Sequence, residues 1–133
     1  MPDRKVNLID FMPFAQTLGL TIVSAEKDRV VGQLTVVQAL CTTGKIMHGG
    51  AIMSVADTLG AIGAYLNMPE DAKATTTIES KTNFLGAAKL GSQVTAETTP
   101  VHVGGRTSVW QTRLTSDEGK AVALVTQTQL VLR

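Results

Sequence analysis

The stretch HGGAIMSVADTLGAIGAYL, His48 to Leu66, holds a pair of glycines directly after His48, a long apolar run and one ionisable carboxylate, Asp57. Its apolar residues fall all round a 3.6-residue wheel, including Ile52, Val55, Leu59, Ile62 and Leu66, so it reads as a long helix enclosed on most sides. On that wheel Asp57 shares its face with Met53, Ser54, Gly60, Ala61 and Ala64. Small residues there let a partner subunit or a ligand approach closely. The exposed stripe of an ordinary surface helix carries several charges, whereas this one carries Asp57 alone over about five turns. A partly buried carboxylate on a small-walled face is a candidate nucleophile or general base. The plainer alternative is a solvent-facing Asp, or one paired with a cation from a strand.

Eighteen residues from Gly49 to Leu66 with one charge also match a membrane span in length. A carboxylate at mid-span is expensive and the flanks lack basic or aromatic anchors, so the expectation is a buried core helix and no membrane partner.

Working outward, LIDFMPFAQTLG reads as a short amphipathic helix with Leu8, Phe11, Met12 and Ala15 on one face. LTIVSAEKDRVVGQLTV reads as two strands meeting at a polar turn near Glu26 to Asp28. A loop around CTTGK leads into the long helix, which closes near Asn67 and Pro69. Strands follow at approximately Ala74 to Phe84, Ser92 to Val101, Thr107 to Thr115 and Ala121 to Leu132, separated by GAAKLG, VGGR and SDEGK. The predicted order is helix-β-β-helix-β-β-β-β. It describes an α+β chain whose antiparallel sheet wraps around one long central α-helix, the hotdog fold.

A length of 133 residues at 44% hydrophobic suits one domain, residues 1–133, with enough apolar material for a sizeable core. A formal charge of +1 gives no global field for nucleic acid, so none is expected as a partner. The charged stretch MPDRKVNLID lacks the apolar core of a secretory signal, and the lone Cys41 makes no internal disulfide; both fit a cytoplasmic location.

Gly49 and Gly50 stand where the helix begins, so their N–H groups lack intrahelical acceptors and lie at the positive end of the macrodipole. Such a terminus binds an anion or a developing oxyanion; a tight loop-to-helix turn is the other use for two glycines. Asp57 lies roughly 12 Å farther along the axis at about 1.5 Å per residue, too far for both groups to touch one carbonyl from the same helix. Two subunits resolve the distance.

HGGAIMSVADT, then TTTIESKTNFLGAAKLGS, then GGRTSVWQTRLTSDEGKAVALVTQTQLVL resemble the phenylacetate-degradation (PaaI-like) type of acyl-CoA thioesterase in the hotdog superfamily, over roughly Leu18 to Leu132. The resemblance implies a hotdog dimer, commonly paired into a tetramer, with active sites at the dimer interface. It implies hydrolysis of an acyl- or aroyl-CoA thioester to free acid and coenzyme A, with no metal and no cofactor beyond the coenzyme A of the substrate. By position, the Gly49 N–H would hold the thioester oxygen, Asp57 of the facing subunit would act as nucleophile or as base for water, and Thr77 would position water or substrate. Thr42 stands where many relatives carry Asn, and Ala87 where proline is frequent. A threonine hydroxyl does not reproduce an amide's two-sided contact.

His48 has two readings: support of the loop by hydrogen bonding, as in thioesterase relatives, or acid–base chemistry, as in hotdog dehydratases. His102, Val103, Gly104, Gly105, Arg106 and Thr107 form HVGGRT. That turn can cradle a coenzyme A phosphate with backbone N–H groups and the Arg106 guanidinium, or be a Gly-rich hairpin with a solvated arginine. Phe84 either lies beside the pantetheine arm or belongs to the core. A 3-hydroxyacyl thioester dehydratase and a non-catalytic acyl-CoA-binding module are the alternative functions.

Overall fold

The computed structural model describes residues 8–133; residues 1–7, which hold most of MPDRKVNLID, lie outside the described residues. Pro13 opens α1, Pro13–Leu18, where its missing N–H has no helical partner to lose, and Gly19 closes it in the left-handed region at φ 74°. A separate helical turn covers residues 8–10, so LIDFMPFAQTLG is two pieces rather than one helix. The break changes the phase of the apolar face. Ala15 is buried and Leu8 and Met12 pack against the core, but Phe11 is 82% exposed.

β1, Thr21–Glu26, and β2, Arg29–Thr35, meet at the expected polar turn. The loop around CTTGK proves to be structured. A 3₁₀ turn at Gln38–Leu40 leads into two short strands, β3 at Cys41–Thr42 and β4 at Ile46–Met47. Their hairpin closes through Gly44 and Lys45, both at positive φ. The long helix follows as α2, Gly49–Leu66. After it come β5, Ala74–Phe84; β6, Gln93–Val103; β7, Thr107–Ser116; and β8, Ala121–Leu132.

Six strands form one antiparallel sheet in the order β1-β2-β6-β7-β8-β5, curled around α2. From α2, Ile52, Val55, Ala56, Leu59 and Ile62 are buried against Leu34, Val94, Leu114, Val122 and Val125. Although α2 matches a membrane span in length and apolarity, half of it is buried inside the protein. At Gly63 a Cβ would lie 2.8 Å from the Trp110 ring, and at Gly60 it would overlap the Gln127 carboxamide. Helix and sheet therefore meet backbone to side chain at these positions.

The register lays out rows across the sheet. Thr77 on β5, Gln129 on β8, Ser108 on β7 and Val103 on β6 share one row, and Phe84, Ala123, Leu114 and Ala96 share another at the opposite end. β5 is an edge strand with a bulge between Thr77 and Glu79, and none of its residues is fully buried.

Candidate active site

The start of α2 is held from several directions. The Met47 N–H donates to the Ala88 carbonyl and the His48 N–H to the Leu40 carbonyl, each at 2.8 Å, while the His48 carbonyl accepts from the Ala51 and Ile52 N–H groups. His48 is also the N-cap, its Nδ1 accepting the Gly50 N–H at 2.7 Å. A ring nitrogen that accepts carries no proton, so the imidazole proton sits on Nε2. This corrects the expectation for the glycine pair, because the Gly50 N–H is taken by its neighbour's ring. The Gly49 N–H has no acceptor among the described residues and lies at the positive end of the macrodipole.

A cleft of about 480 Å³ opens beside Gly49, lined by Thr42, Ile52, Phe84 and Ala87 among others. Phe84 is 55% exposed, so it is no core residue; its ring lies over Gly49, where a Cβ would be 3.1 Å from Cε1. Thr42 and Ala87, the positions that depart from the resemblance, thus face the same cleft as Gly49.

Asp57 lies farther along α2, where its Oδ1 accepts the Thr77 hydroxyl at 3.1 Å. Within the single chain its side chain is exposed, not partly buried, because the face of α2 turned from the sheet is uncovered there. Among the described residues no cation pairs with it, so it is not half of an ion pair. Met53, Ser54 and Ser80 line its groove of about 280 Å³. The Ser54 hydroxyl is committed to the Gly50 carbonyl at 2.7 Å. The small face expected around Asp57 is divided: Gly60 and Ala64 are buried, while Ala61 lines a separate apolar groove with Phe11 and Tyr65.

Behind Thr77 lies a buried polar chain. Gln129 donates through Nε2 to Thr77 Oγ1 at 2.6 Å and to Gln127 Oε1 at 2.8 Å, and Gln127 Nε2 donates to the Ala56 carbonyl at 2.7 Å. Neither glutamine stands out in the sequence as a site residue. The available signal is parity: Ala123 and Val125 set the inward face of β8, and alternation carries Gln127 and Gln129 onto it.

The turn from His102 to Thr107 lies at the Thr77 end of the sheet, about three strand spacings or 14 Å from β5. Its backbone is partly committed, which corrects the picture of an open cradle. The Gly104 N–H donates to the Thr107 carbonyl at 2.8 Å, and the Arg106 carbonyl accepts the Val131 N–H at 2.7 Å. Arg133 donates to the Gly105 carbonyl at 2.8 Å and pairs with Asp71 at 2.7 Å, and its guanidinium holds the Asp71 carboxyl below its ordinary range. The side chains of His102, Val103 and Arg106 are exposed.

Gly49 and Asp57 do not meet within one chain. They stand eight residues apart on α2, about 12 Å along its axis, Gly49 beside the Phe84 ring and Asp57 beside Thr77. The candidate residues form two half-sites along α2, one facing Phe84 at the end of β5 and one facing Thr77 within it.

Residues 44–123 match the family model of the thioesterase superfamily. The chain is similar to the 1,4-dihydroxy-2-naphthoyl-CoA hydrolase of Listeria monocytogenes, 31% identical over 113 residues that span 85% of this chain and 90% of that protein. The E. coli PaaI protein from the phenylacetic acid degradation operon shares the fold, with a TM-score of 0.87 at 23% identity, covering 98% of this chain and 92% of that one. A hypothetical thioesterase from Streptococcus pneumoniae, solved with coenzyme A, superposes with a TM-score of 0.83 at 26% identity, over 93% of this chain and 95% of that one. Sequence and architecture agree: the chain belongs to the thioesterase superfamily, has the hotdog fold and is a thioester hydrolase.

Proposed function

We propose that the protein hydrolyses an acyl- or aroyl-CoA thioester to the free acid and coenzyme A. The carrying observation is Asp57, the one carboxylate on α2, held by the Thr77 hydroxyl and free of any cation among the described residues. The name of the Listeria relative and the coenzyme A in the Streptococcus structure support this substrate class.

In the proposed site the Gly49 N–H of one subunit holds the thioester oxygen and stabilises the charge that develops on it. Asp57 of the facing subunit then acts in one of two ways. As nucleophile it attacks the carbonyl carbon and expels the coenzyme A thiolate, which takes up a proton; water cleaves the resulting anhydride. As general base it takes a proton from water, whose oxygen attacks the carbonyl and expels the same thiolate. Both routes consume one water and return the carboxylate. Water activation is assigned to Asp57, whose carboxylate is held by the Thr77 hydroxyl. His48 supports the loop through its Gly50 contact, and the Arg106 side chain, exposed to solvent, would meet a coenzyme A phosphate. The half-sites are joined by dimerisation along the β5 edge, with dimers pairing into a tetramer.

Release of free thiol across a small acyl-CoA panel tests the reading. Asp57→Asn keeps the shape and loses the charge, so kcat should fall by at least about a hundredfold with little change in KM. A fully active Asn variant removes Asp57 from the chemistry. Loss of water from a 3-hydroxyacyl-CoA without thiol release would mark a dehydratase, and no turnover of either kind a binding module.

A further inference from the structure

We infer that Gln127 and Gln129 form a buried positioning relay that directs the Thr77 hydroxyl proton onto one oxygen of Asp57 and leaves the other oxygen to the substrate; this rests on the reading of Asp57 as the reacting carboxylate. The polarity of the chain starts from a group with no choice. A backbone carbonyl accepts and never donates, so the Ala56 oxygen fixes the Gln127 carboxamide with Nε2 toward the helix, at 2.7 Å. Gln127 Oε1 then faces the strand and accepts from Gln129 Nε2 at 2.8 Å. The same nitrogen gives its second proton to Thr77 Oγ1 at 2.6 Å. A hydroxyl that accepts there has its own proton free for another partner, and Asp57 Oδ1 is that partner at 3.1 Å. Each link removes one orientation from the next. The relay begins at Ala56 and ends at Asp57, adjacent residues of α2, so helix and sheet close a ring around the carboxylate.

Burial makes the relay selective. Gln127 is 0% and Gln129 1% exposed, so water does not compete for these bonds. Two carboxamides on the inward face of β8 cost stability unless bonded, and apolar residues such as Val125 fill that face elsewhere. Gly60 completes the arrangement, since a Cβ there would overlap the Gln127 carboxamide. With Oδ1 held from behind, and no donor to Oδ2 among the described residues, the carboxylate presents one oxygen to the open groove.

Gln129→Met keeps length and removes both donors. Because the group touches no substrate, kcat should fall about tenfold while KM stays within about twofold. In a Thr77→Val background the same change should cause no further loss, because its effect travels through the missing hydroxyl. Unchanged kcat in a folded Gln129→Met variant, or losses that simply multiply with those of Thr77→Val, overturns the relay. Side-chain amide NMR of the parent protein supplies a readout independent of hydrolysis and of whether the Met variant folds. The Gln129 carboxamide protons should exchange slowly with solvent and shift in Thr77→Val. Exchange as fast as that of a solvent-exposed glutamine would likewise overturn the proposal. An active Asp57→Asn enzyme would defeat the functional reading alone, leaving the amide result to stand or fall separately.

Discussion

His48 and Gly49 divide the α2 terminus between them: the ring of one takes the Gly50 N–H, and the backbone of the other faces the cleft. A backbone donor is removed by proline, and the backbone conformation at position 49 is compatible with it. Gly49 is the first helical residue, where proline is favoured, and His48 has φ −63° and ψ 138°, the extended conformation preferred before proline. Any side chain at position 49 also brings a Cβ to within 3.1 Å of the Phe84 ring, so Gly49→Ala is the control for that contact. Gly49→Pro should retain its helix content by circular dichroism and lose roughly a hundredfold to a thousandfold in kcat, the usual effect of deleting an oxyanion donor. The alanine variant should lose at least about tenfold less, since it keeps the N–H. Equal losses in the two would assign the effect to Phe84 and packing. At this scale the places of Gly49 at the helix start and of Asp57 as the lone charge on α2 were legible, because helix polarity and an isolated charge are properties of sequence position; Thr77 came only from the resemblance. The Gly50–His48 bond was not, because it depends on a ring rotamer that periodicity does not encode.

The elements were legible where hydrophobic period and length agreed. α2 and β8 fall where their patterns place them, and β6 and β7 differ by one or two residues at their ends. The misses have physical causes. Pro13 splits the first helix, and Gly44 with Lys45 turns an apparent loop into a hairpin. Gly60 was read onto the open face with Asp57, but the sheet fills the space beside it with Gln127. That contact yields a stability prediction. Glycine to alanine inside an exposed helix typically gains up to about 1 kcal/mol. At Gly60 and Gly63 the new methyl meets Gln127 and Trp110, so each variant should instead lose about 1–3 kcal/mol in denaturant titration, the usual effect of overpacking. The two should differ in activity. Gly60→Ala displaces the carboxamide behind Thr77 and should lower kcat, whereas Gly63→Ala presses on the Trp110 ring and should leave kcat near the parent value. A Gly60→Ala enzyme as stable as the parent would mean that the carboxamide moves aside without loss.

Across the whole molecule, the separation of Gly49 from Asp57 means that the proposed site needs two chains. β5 is an eleven-residue edge with one half-site by Phe84 and the other by Thr77, and Ile78, Phe84 and Leu85 are 56%, 55% and 57% exposed along or beside it. A twofold axis through such an edge pairs β5 with its own copy in antiparallel sense. In the proposed dimer the Phe84 end of one subunit would lie against the Thr77 end of the other, and each site would take Gly49 from one chain and Asp57 from its partner. Mixing two inactive proteins tests this arrangement. Asp57→Asn and Gly49→Pro homodimers each carry a defect in both sites. In a heterodimer both defects fall in the same site, and the other site is intact. Random reassociation makes half the dimers mixed, each with one working site, so the mixture should recover about a quarter of the parent activity. Native mass spectrometry with one variant mass-tagged verifies that heterodimers have formed. If they form and no thiol is released, Gly49 and Asp57 do not come from different chains, and the interface site is wrong.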